Sequence, residues 1–168
     1  LYLAGVEPGG TVIEAGCGTG SLTTVLAFAI GPSGHLYAFD RREDFLAGAR
    51  SNLLRFGLEG RVEFQLRDVV ESGFDVGPVH SVLLDLPEPW RVAETARHAL
   101  VPGGRLAVFT PTYNQLERSV RALREAGFVE VQSTEVLQRA LHTGEGGTRP
   151  DFEMLGHTGF LTGARKVD

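Results

Sequence analysis

The feature that most constrains the fold lies in residues 12–22, where a short apolar stretch leads through three alternating glycines into a helical pattern. Gly16, Gly18 and Gly20 predict a sharp nucleotide-binding turn, because glycine adopts backbone angles closed to other residues and lets a ligand approach the backbone closely. A dinucleotide-binding turn has its third glycine three residues after the second, which here is the position of Ser21. The spacing therefore argues against a dinucleotide, and a tight turn without a ligand is the alternative.

Strand and helix patterns alternate along the rest of the chain, which predicts a doubly wound α/β fold. The expected sheet is seven-stranded and mostly parallel, with an antiparallel C-terminal strand. After the glycine turn, the predicted strands are 35–40, 61–68, 79–85, 105–110, 128–136 and 156–164, and the predicted helices are 22–29, 44–56, 91–100 and 115–126. A charged, glycine-rich loop is predicted for residues 143–151. Such sheets bind ligands at the carboxyl ends of their strands, where we therefore expect the site.

Acidic residues lie at the ends of the first four predicted strands, namely Glu14, Asp40, Asp68 and Asp85. Asp40 comes about 20 residues after Gly20, the distance at which nucleotide-binding folds place a carboxylate on ribose hydroxyls. Capping of the following helix is the alternative role of Asp40, although Asp44 is equally able to serve as that cap.

The loop that follows Asp85 is predicted to be stiff. Residues 86–90 contain two prolines and a tryptophan, and each proline fixes its own φ angle and restricts the residue before it. A carboxylate at the edge of this loop, with Pro87 or Trp90 as a wall, suits a flat heterocycle. Packing of Trp90 into the core is the alternative.

Composition excludes several classes of protein. The 168 residues suit one domain with its own core, and a net charge of -5 argues against binding nucleic acid with the whole surface, although a local basic patch remains compatible with it. Cys17 is the only cysteine and has no second soft ligand at metal spacing, so no disulfide and no metal are expected. No apolar run approaches the roughly 20 residues of a membrane helix and the first residues lack a secretory pattern, so a cytoplasmic location is expected.

The pattern E-x-G-x-G-x-G over residues 14–20 resembles motif I of the class I S-adenosylmethionine-dependent methyltransferases. Their cofactor has no pyrophosphate and does not require the dinucleotide turn. The resemblance implies S-adenosylmethionine as the cofactor and nominates Asp68, with Val69 beside it, as the partner of its adenine amino group. A solvated turn aspartate is the alternative for Asp68.

Two further motifs resemble the tRNA adenine-N1 methyltransferases that modify position 58 in the T-loop. They are D-L-P-E-P-W over residues 85–90 and G-H-T-G-F-L over residues 156–161. The resemblance covers essentially the whole chain and implies one catalytic domain over residues 1–168, without the N-terminal β-rich domain that this family also carries. It implies methyl transfer to N1 of a flipped-out adenine, tRNA as the partner and a homotetramer.

The resemblance and the strand ends together define the predicted site. Asp85 is the predicted catalytic residue, and it would accept a hydrogen bond from the adenine N6 amino group. The predicted cofactor-binding residues are Glu14, Gly16, Cys17, Gly18, Thr19, Gly20, Ser21, Leu22, Asp40, Arg41, Asp68, Val69 and Asp85. The predicted substrate-binding residues are Pro87, Trp90, Arg139, Arg149 and His157, and a structural hydrogen bond to the active-site loop is the alternative for His157.

Two other functions stay open. A methyltransferase for a small molecule or a protein carboxylate, similar to the isoaspartyl enzymes, shares the glycine turn and agrees better with the net acidity. It leaves the two motifs at residues 85–90 and 156–161 unexplained. A subunit that binds the cofactor or RNA without catalysis has no need of the complete set of glycines and acids.

Overall fold

The computed structural model describes the whole chain, residues 1–168. The strands are β1 (Thr11–Ala15), β2 (His35–Asp40), β3 (Val62–Leu66), β4 (Val79–Leu84), β5 (Leu100–Thr110), β6 (Val129–Glu135), β7 (Leu141–Gly144), β8 (Gly147–Pro150) and β9 (Phe160–Arg165). The α-helices are α1 (Ser21–Ile30), α2 (Glu43–Leu54), α3 (Val69–Ser72), α4 (Ala93–Ala99) and α5 (Tyr113–Glu125). Short 3₁₀ turns cover Tyr2–Ala4, Glu59–Arg61 and Pro89–Val92. None of the helices has the length and apolar character needed to cross a membrane.

Seven strands form the main sheet, in the order β3-β2-β1-β4-β5-β9-β6. The first five strands of the chain pair in parallel, whereas β9 is antiparallel to both of its neighbours, β5 and β6. This confirms the predicted doubly wound, mostly parallel sheet with an antiparallel C-terminal strand.

Helices cover both faces of the sheet, so the central strands are buried on both sides. Alternate residues of β1 enter opposite faces. Val12 packs in one apolar cluster with Leu26 of α1 and Leu53 of α2, while Ile13 lies in the other cluster with Ala96 of α4. Burial on both faces explains why β4 is an almost continuous apolar run rather than an alternating one.

The strand order reverses at β1, which has β2 on one side and β4 on the other. Ala15, the last residue of β1, is level with Phe39 of β2 and with Leu84 of β4. The residues that come next, Gly16, Asp40 and Asp85, therefore emerge together at the carboxyl edge, where open α/β sheets bind their ligands.

The predicted loop over residues 143–151 is wrong, because most of this segment belongs to an exposed hairpin of β7 and β8. Its glycines and charges are typical of a loop, but the glycines are concentrated in the tight turn between the two strands. The last strand also begins later than predicted, at Phe160. His157 consequently precedes β9 instead of starting it.

Candidate functional site

The glycine turn has the predicted shape, but two of its glycines are required by neighbouring protein rather than by a ligand. Gly16 has φ 88°, and a Cβ there would overlap the carbonyl oxygen of Asp85. Gly20 has φ 85°, and its Cβ would lie 2.8 Å from the Cβ of Ala49 in α2. Gly18 also has a positive φ, 51°, but open space surrounds the position of its Cβ. Gly18 is therefore the one glycine of the three at which a bound ligand, rather than neighbouring protein, would exclude a side chain.

A cleft of about 350 Å³ lies at the predicted edge of the sheet, in the size range of small-molecule sites. It is lined by residues at the carboxyl ends of β1, β2, β3 and β4 and in the segments that follow them. The lining residues are Gly16, Gly18, Phe39, Asp40, Arg41, Arg42, Phe45, Arg67, Asp68, Val69, Val70, Asp85, Leu86 and Pro87. The structure thus brings together seven of the predicted cofactor-binding residues, Gly16, Gly18, Asp40, Arg41, Asp68, Val69 and Asp85.

Asp40 ties the glycine turn to the end of β2. Its Oδ2 accepts a hydrogen bond from the amide of Gly18 at 3.1 Å, and its Oδ1 accepts one from the amide of Arg42 at 3.0 Å. Arg42 is itself the N-cap residue of α2, so the Asp40 side chain does not bond an amide inside the helix. The contacts hold a carboxylate in the cleft, where it is available to a ligand.

Asp68 combines the two roles considered for it. It caps the short helix α3, which the sequence analysis did not predict, by accepting a hydrogen bond from the amide of Val70 at 3.0 Å. Its other oxygen faces the guanidinium of Arg41 at 3.8 Å, and the residue lines the cleft. Capping orients this carboxylate toward the cleft without burying it.

Asp85 is joined directly to the glycine turn. Its amide donates to the carbonyl of Ala15 at 2.9 Å, and its own carbonyl packs against Gly16. Its side chain is exposed in the open cleft, yet the nearby protein removes enough water to raise the pKa of the Asp85 carboxyl above its usual value of 3.8. The geometry presents a carboxylate beside Leu86 and Pro87, both of which also line the cleft.

Trp90 does not line the cleft. It lies in the 3₁₀ turn Pro89–Val92, half-buried, with the guanidinium of Arg118 at 5.4 Å from its ring centroid. The loop therefore presents Pro87 rather than Trp90 as the wall next to Asp85.

Glu14 is buried below the glycine turn, with only 1% of its surface exposed. Neither of its carboxyl oxygens has a hydrogen-bond partner. Burial raises the pKa of the Glu14 carboxyl to about 8; the nearby Thr23 lowers it without reaching hydrogen-bonding geometry, and the charges of Asp85 and Asp40 raise it further. An acid with two unpartnered oxygens is a strong potential partner for a cationic or hydrogen-bonding ligand group.

Cys17 is buried in the turn, and burial raises the pKa of its thiol to about 12, so it is present as an unreactive thiol at neutral pH. The structure contains no group of three or more histidine, cysteine, aspartate or glutamate side chains arranged to hold a metal ion.

Six of the predicted cofactor-binding residues do not line the cleft. They are Glu14, Cys17, Thr19, Gly20, Ser21 and Leu22.

The predicted residues of the C-terminal part are not in the cleft either. Arg139 donates from Nε to the carbonyl of Asp151 at 2.9 Å, and the guanidinium of Arg149 lies 4.4 Å from the ring centroid of Phe152. These arginines belong to the exposed segment that includes the hairpin. His157 instead bonds the segment after β5, because its Nε2 is 2.6 Å from the carbonyl oxygen of Pro111.

Sequence reasoning missed several residues of the site. Arg42, Phe45 and Arg67 also line the cleft. The two arginines could have been predicted from the sequence, because Arg42 lies two residues after Asp40 and Arg67 directly precedes Asp68. Gln115 was not singled out either. Its Nε2 donates to the carbonyl of Pro87 at 3.1 Å, a contact across 28 positions that no local pattern indicates.

The sheet order, the positive-φ glycines after β1 and the acids after β2, β3 and β4 define a class I methyltransferase fold. The chain belongs to the tRNA methyltransferase complex GCD14 subunit family, whose model matches residues 2–146. This confirms the family resemblance. The matched residues include the motifs at residues 14–20 and 85–90, whereas the motif at residues 156–161 lies beyond them.

Individual relatives agree with this assignment. The chain is 36% identical to the tRNA (adenine(57)-N(1)/adenine(58)-N(1))-methyltransferase TrmI of Methanocaldococcus jannaschii, over 96% of this chain and 66% of that protein. It is 35% identical to the tRNA (adenine(58)-N(1))-methyltransferase TrmI of Thermus thermophilus, over 99% of this chain and 65% of that protein. The chain thus spans slightly less than two thirds of the length of these curated relatives.

Solved structures agree on the fold. A crystal structure of an S-adenosylmethionine-dependent O-methyltransferase from Thermotoga maritima superposes with a TM-score of 0.94 and 36% identity, covering 99% of this chain and 63% of that chain. The tRNA (m1A58) methyltransferase TrmI of Aquifex aeolicus superposes with a TM-score of 0.85 and 28% identity, covering 96% of this chain and 64% of that chain.

Proposed function

We propose that this chain transfers the methyl group of S-adenosylmethionine to N1 of adenine 58 in the T-loop of tRNA. Membership of the tRNA methyltransferase family and the names of the TrmI relatives support this reaction. The observation that carries it is the position of Asp85, which exposes a carboxylate in the cleft while its backbone packs on the glycine turn. The group that would orient a methyl acceptor is thereby attached to the turn that would hold the methyl donor.

The residues of the cleft fit S-adenosylmethionine. Asp40 would bind the ribose hydroxyls and Asp68, with Val69, the adenine amino group. Glu14 offers two unpartnered oxygens below the turn, and Gly18 leaves open space toward the cleft. When bound, the cofactor supplies a methyl group on a positively charged sulfur.

The role of Asp85 follows from the chemistry of adenine. N1 already carries an in-plane lone pair, so no residue has to remove a proton before the methyl group is accepted, and positioning is the main task. The Asp85 carboxylate would accept a hydrogen bond from the N6 amino group and compensate the positive charge that develops on the ring. Because the pKa of this carboxyl is raised, activity should fall as the pH drops through a value above 3.8, where the carboxylate becomes protonated.

Both N1 and N6 lie on the Watson–Crick edge of adenine, so the base must leave its pair and its stack to reach Asp85. Pro87 would contact the extruded base and Trp90 would support the loop. Arg139 and Arg149, on the exposed segment outside the cleft, would contact RNA phosphates or stack on a base. His157 is proposed to contribute by holding the adjoining segment.

We also propose a homo-oligomer, a tetramer by family resemblance, and a cytoplasmic location where tRNA is available. Large apolar side chains on and beside the hairpin support association, since Leu141, Phe152 and Leu155 are exposed.

The second candidate is methyl transfer to a small molecule or a protein carboxylate. It is favoured by the similarity to the Thermotoga maritima protein, which is described as an O-methyltransferase. A substrate that is methylated on oxygen has no adenine amino group. Under this second candidate, the hydrogen bond proposed for Asp85 would therefore have no donor.

The deciding experiment supplies methyl-labelled S-adenosylmethionine and an unmodified tRNA transcript to the chain and maps the labelled nucleoside. We expect label at N1 of a T-loop adenine. In Asp85→Ala we expect a rate loss of two to three decades, corresponding to about 2.7–4 kcal/mol, with cofactor affinity changed no more than about threefold. The matched control, Glu125→Ala, removes an exposed carboxylate at the end of α5 and should keep wild-type activity. Label only in protein or metabolite would favour the second candidate, and full activity in Asp85→Ala would contradict the mechanism.

A further inference from the structure

His157 lies between two hydrogen-bond acceptors. Its Nδ1 is 2.6 Å from Oε1 of Glu135, and its Nε2 is 2.6 Å from the carbonyl oxygen of Pro111. A neutral imidazole carries a proton on only one ring nitrogen, so it satisfies only one of these acceptors. The arrangement is complete only when His157 is an imidazolium cation that donates from both nitrogens.

The surroundings of His157 favour that cation. The bond to the Pro111 carbonyl and then the bond to Glu135 raise the pKa of the imidazole above its usual 6.5. Glu135 also accepts a hydrogen bond from the amide of Thr158 at 3.0 Å. This bond and the contact with His157 lower the pKa of the Glu135 carboxyl. The other groups that face the ring are Tyr113 of α5, nearly parallel at 6.5 Å, and Phe160 of β9 at 5.0 Å. Glu135 is therefore the only charged group in direct contact with His157.

A hydrogen-bonded chain continues from Pro111 to the Asp85 loop. Thr112, the next residue, caps α5 by accepting the amide of Gln115 at 3.3 Å, and its hydroxyl donates to Oε1 of Gln115 at 2.7 Å. This contact orients the Gln115 side chain so that its Nε2 donates to the carbonyl of Pro87 at 3.1 Å. Pro87 lies two residues after Asp85 in the lining of the cleft.

We propose that His157 is a positioning residue for methyl transfer: as a cation bridging Glu135 and Pro111, it fixes the start of α5 and, through Gln115, the loop that carries Asp85. This inference rests on the proposed function and deepens it by making loop geometry depend on pH. The bridge is intact below the pKa of His157 and is lost as the pH rises through that value, because a neutral ring must release one of the two acceptors.

Trp90 gives a direct test that does not require turnover. It is the only tryptophan of the chain, it lies in the same loop, and Arg118 of α5 packs on it. We expect the acrylamide quenching constant of Trp90 to rise about twofold in His157→Gln, in Gln115→Met, and in the wild type when the pH is raised from 6 to 9. The matched control is His35→Gln. His35 lies near Glu63 at 3.7 Å at the amino end of β2, away from the Asp85 loop, and its replacement should leave quenching unchanged.

Activity provides the second measurement. With the tRNA transcript as substrate, His157→Gln should lower kcat about tenfold, leave the KM for S-adenosylmethionine within twofold, and make the decline of kcat at alkaline pH smaller than in the wild type. The decline that remains belongs to Glu14, whose pKa of about 8 lies in the same range. His157→Arg, a permanent cation with several donors, should recover part of kcat and leave only the pH dependence that is due to Glu14.

The two proposals fail in distinguishable ways. If the wild type does not methylate tRNA but the quenching responses occur, the proposed function is wrong and the His157 bridge stands. If the wild type methylates tRNA while His157→Gln keeps the wild-type quenching, kcat and pH profile, the bridge does not position the loop and the inference is overturned.

Discussion

The two halves of the cleft are held in different ways. The half that would bind the cofactor is fixed by backbone contacts and close packing, as where Gly16 meets the carbonyl of Asp85 and Gly20 meets Ala49. The half that would bind the methyl acceptor is held by side-chain hydrogen bonds near the surface, from the half-buried Gln115 and the exposed His157. The first half is therefore held by packing within the fold itself, whereas the second is held by few bonds and, under our proposal, by the protonated imidazole of His157.

The largest expected effect would break the packed half. Gly16→Ala adds a Cβ that overlaps a backbone carbonyl at a residue with φ 88°, so neither a rotamer change nor a small shift relieves it. We expect a loss of about 4 kcal/mol or more in the free energy of unfolding, measured by urea denaturation. Gly18→Ala, also at a positive φ but in open space, should lose only about 1–2 kcal/mol. Equal losses in the two variants would contradict the role given to the Asp85 carbonyl.

An intermediate effect concerns Glu14. Its pKa rises from 4.5 to about 8 on folding, so the folded protein keeps a proton that the unfolded chain releases, and stability declines as the pH rises between these values. The variant Glu14→Gln cannot ionise and so avoids this loss of stability. At pH 8 we expect it to be more stable than the wild type by up to about 4 kcal/mol, from about 3 pH units at about 1.4 kcal/mol each. Thermal unfolding at several pH values tests this, with the two proteins converging near pH 4. If the stability of the two proteins depends on pH in the same way, the pKa of Glu14 is not raised on folding and its carboxyl is ionised in the folded protein at neutral pH.

The smallest effect on stability is expected in the exposed segment of the other half. Replacing Arg139 and Arg149 together by glutamine should change the free energy of unfolding by no more than about 0.5 kcal/mol. If these arginines contact phosphates, the KM for tRNA should rise several-fold and the slope of log affinity against log salt should fall by about 1–2. Arg121→Gln, on the exposed face of α5, is the control and should change neither. An unchanged salt dependence in the double variant would remove these arginines from the RNA surface.

The same contrast determines what could be predicted from the sequence. The glycine spacing, the apolar strands and the acids at strand ends are local patterns, and parallel strands bring their carboxyl ends to one edge by geometry alone. Asp40, Asp68 and Asp85 were therefore predicted to share a cleft, and the structure brings them together there. The sequence does not reveal why residue 16 must be glycine, because the Asp85 carbonyl that excludes a side chain there is distant along the chain.

The acceptor half escaped prediction for a related reason. The bond from His157 to Pro111 spans 46 positions and joins a side chain to a carbonyl, a partner that every residue carries. Composition also misled at residues 143–151, where the glycines of a hairpin turn are indistinguishable from those of a loop. The sequence left open whether Pro87 or Trp90 forms the wall of the site and whether Trp90 packs in the core. The choice depends on Arg118, which packs on Trp90 from α5 and is distant from it in sequence.

The contact between Gly16 and Asp85 has a consequence for redesign. Because the backbone at residue 85 closes on the glycine turn, the first residue of the acceptor loop belongs mechanically to the donor side. Leu86 also packs beside Gly16 and lines the cleft, so a library that exchanges this loop to accept other bases should keep residues 85 and 86 and begin its variation at Pro87. Insertions placed before that boundary would alter donor and acceptor recognition at once, whereas changes after it would act mainly on the acceptor side.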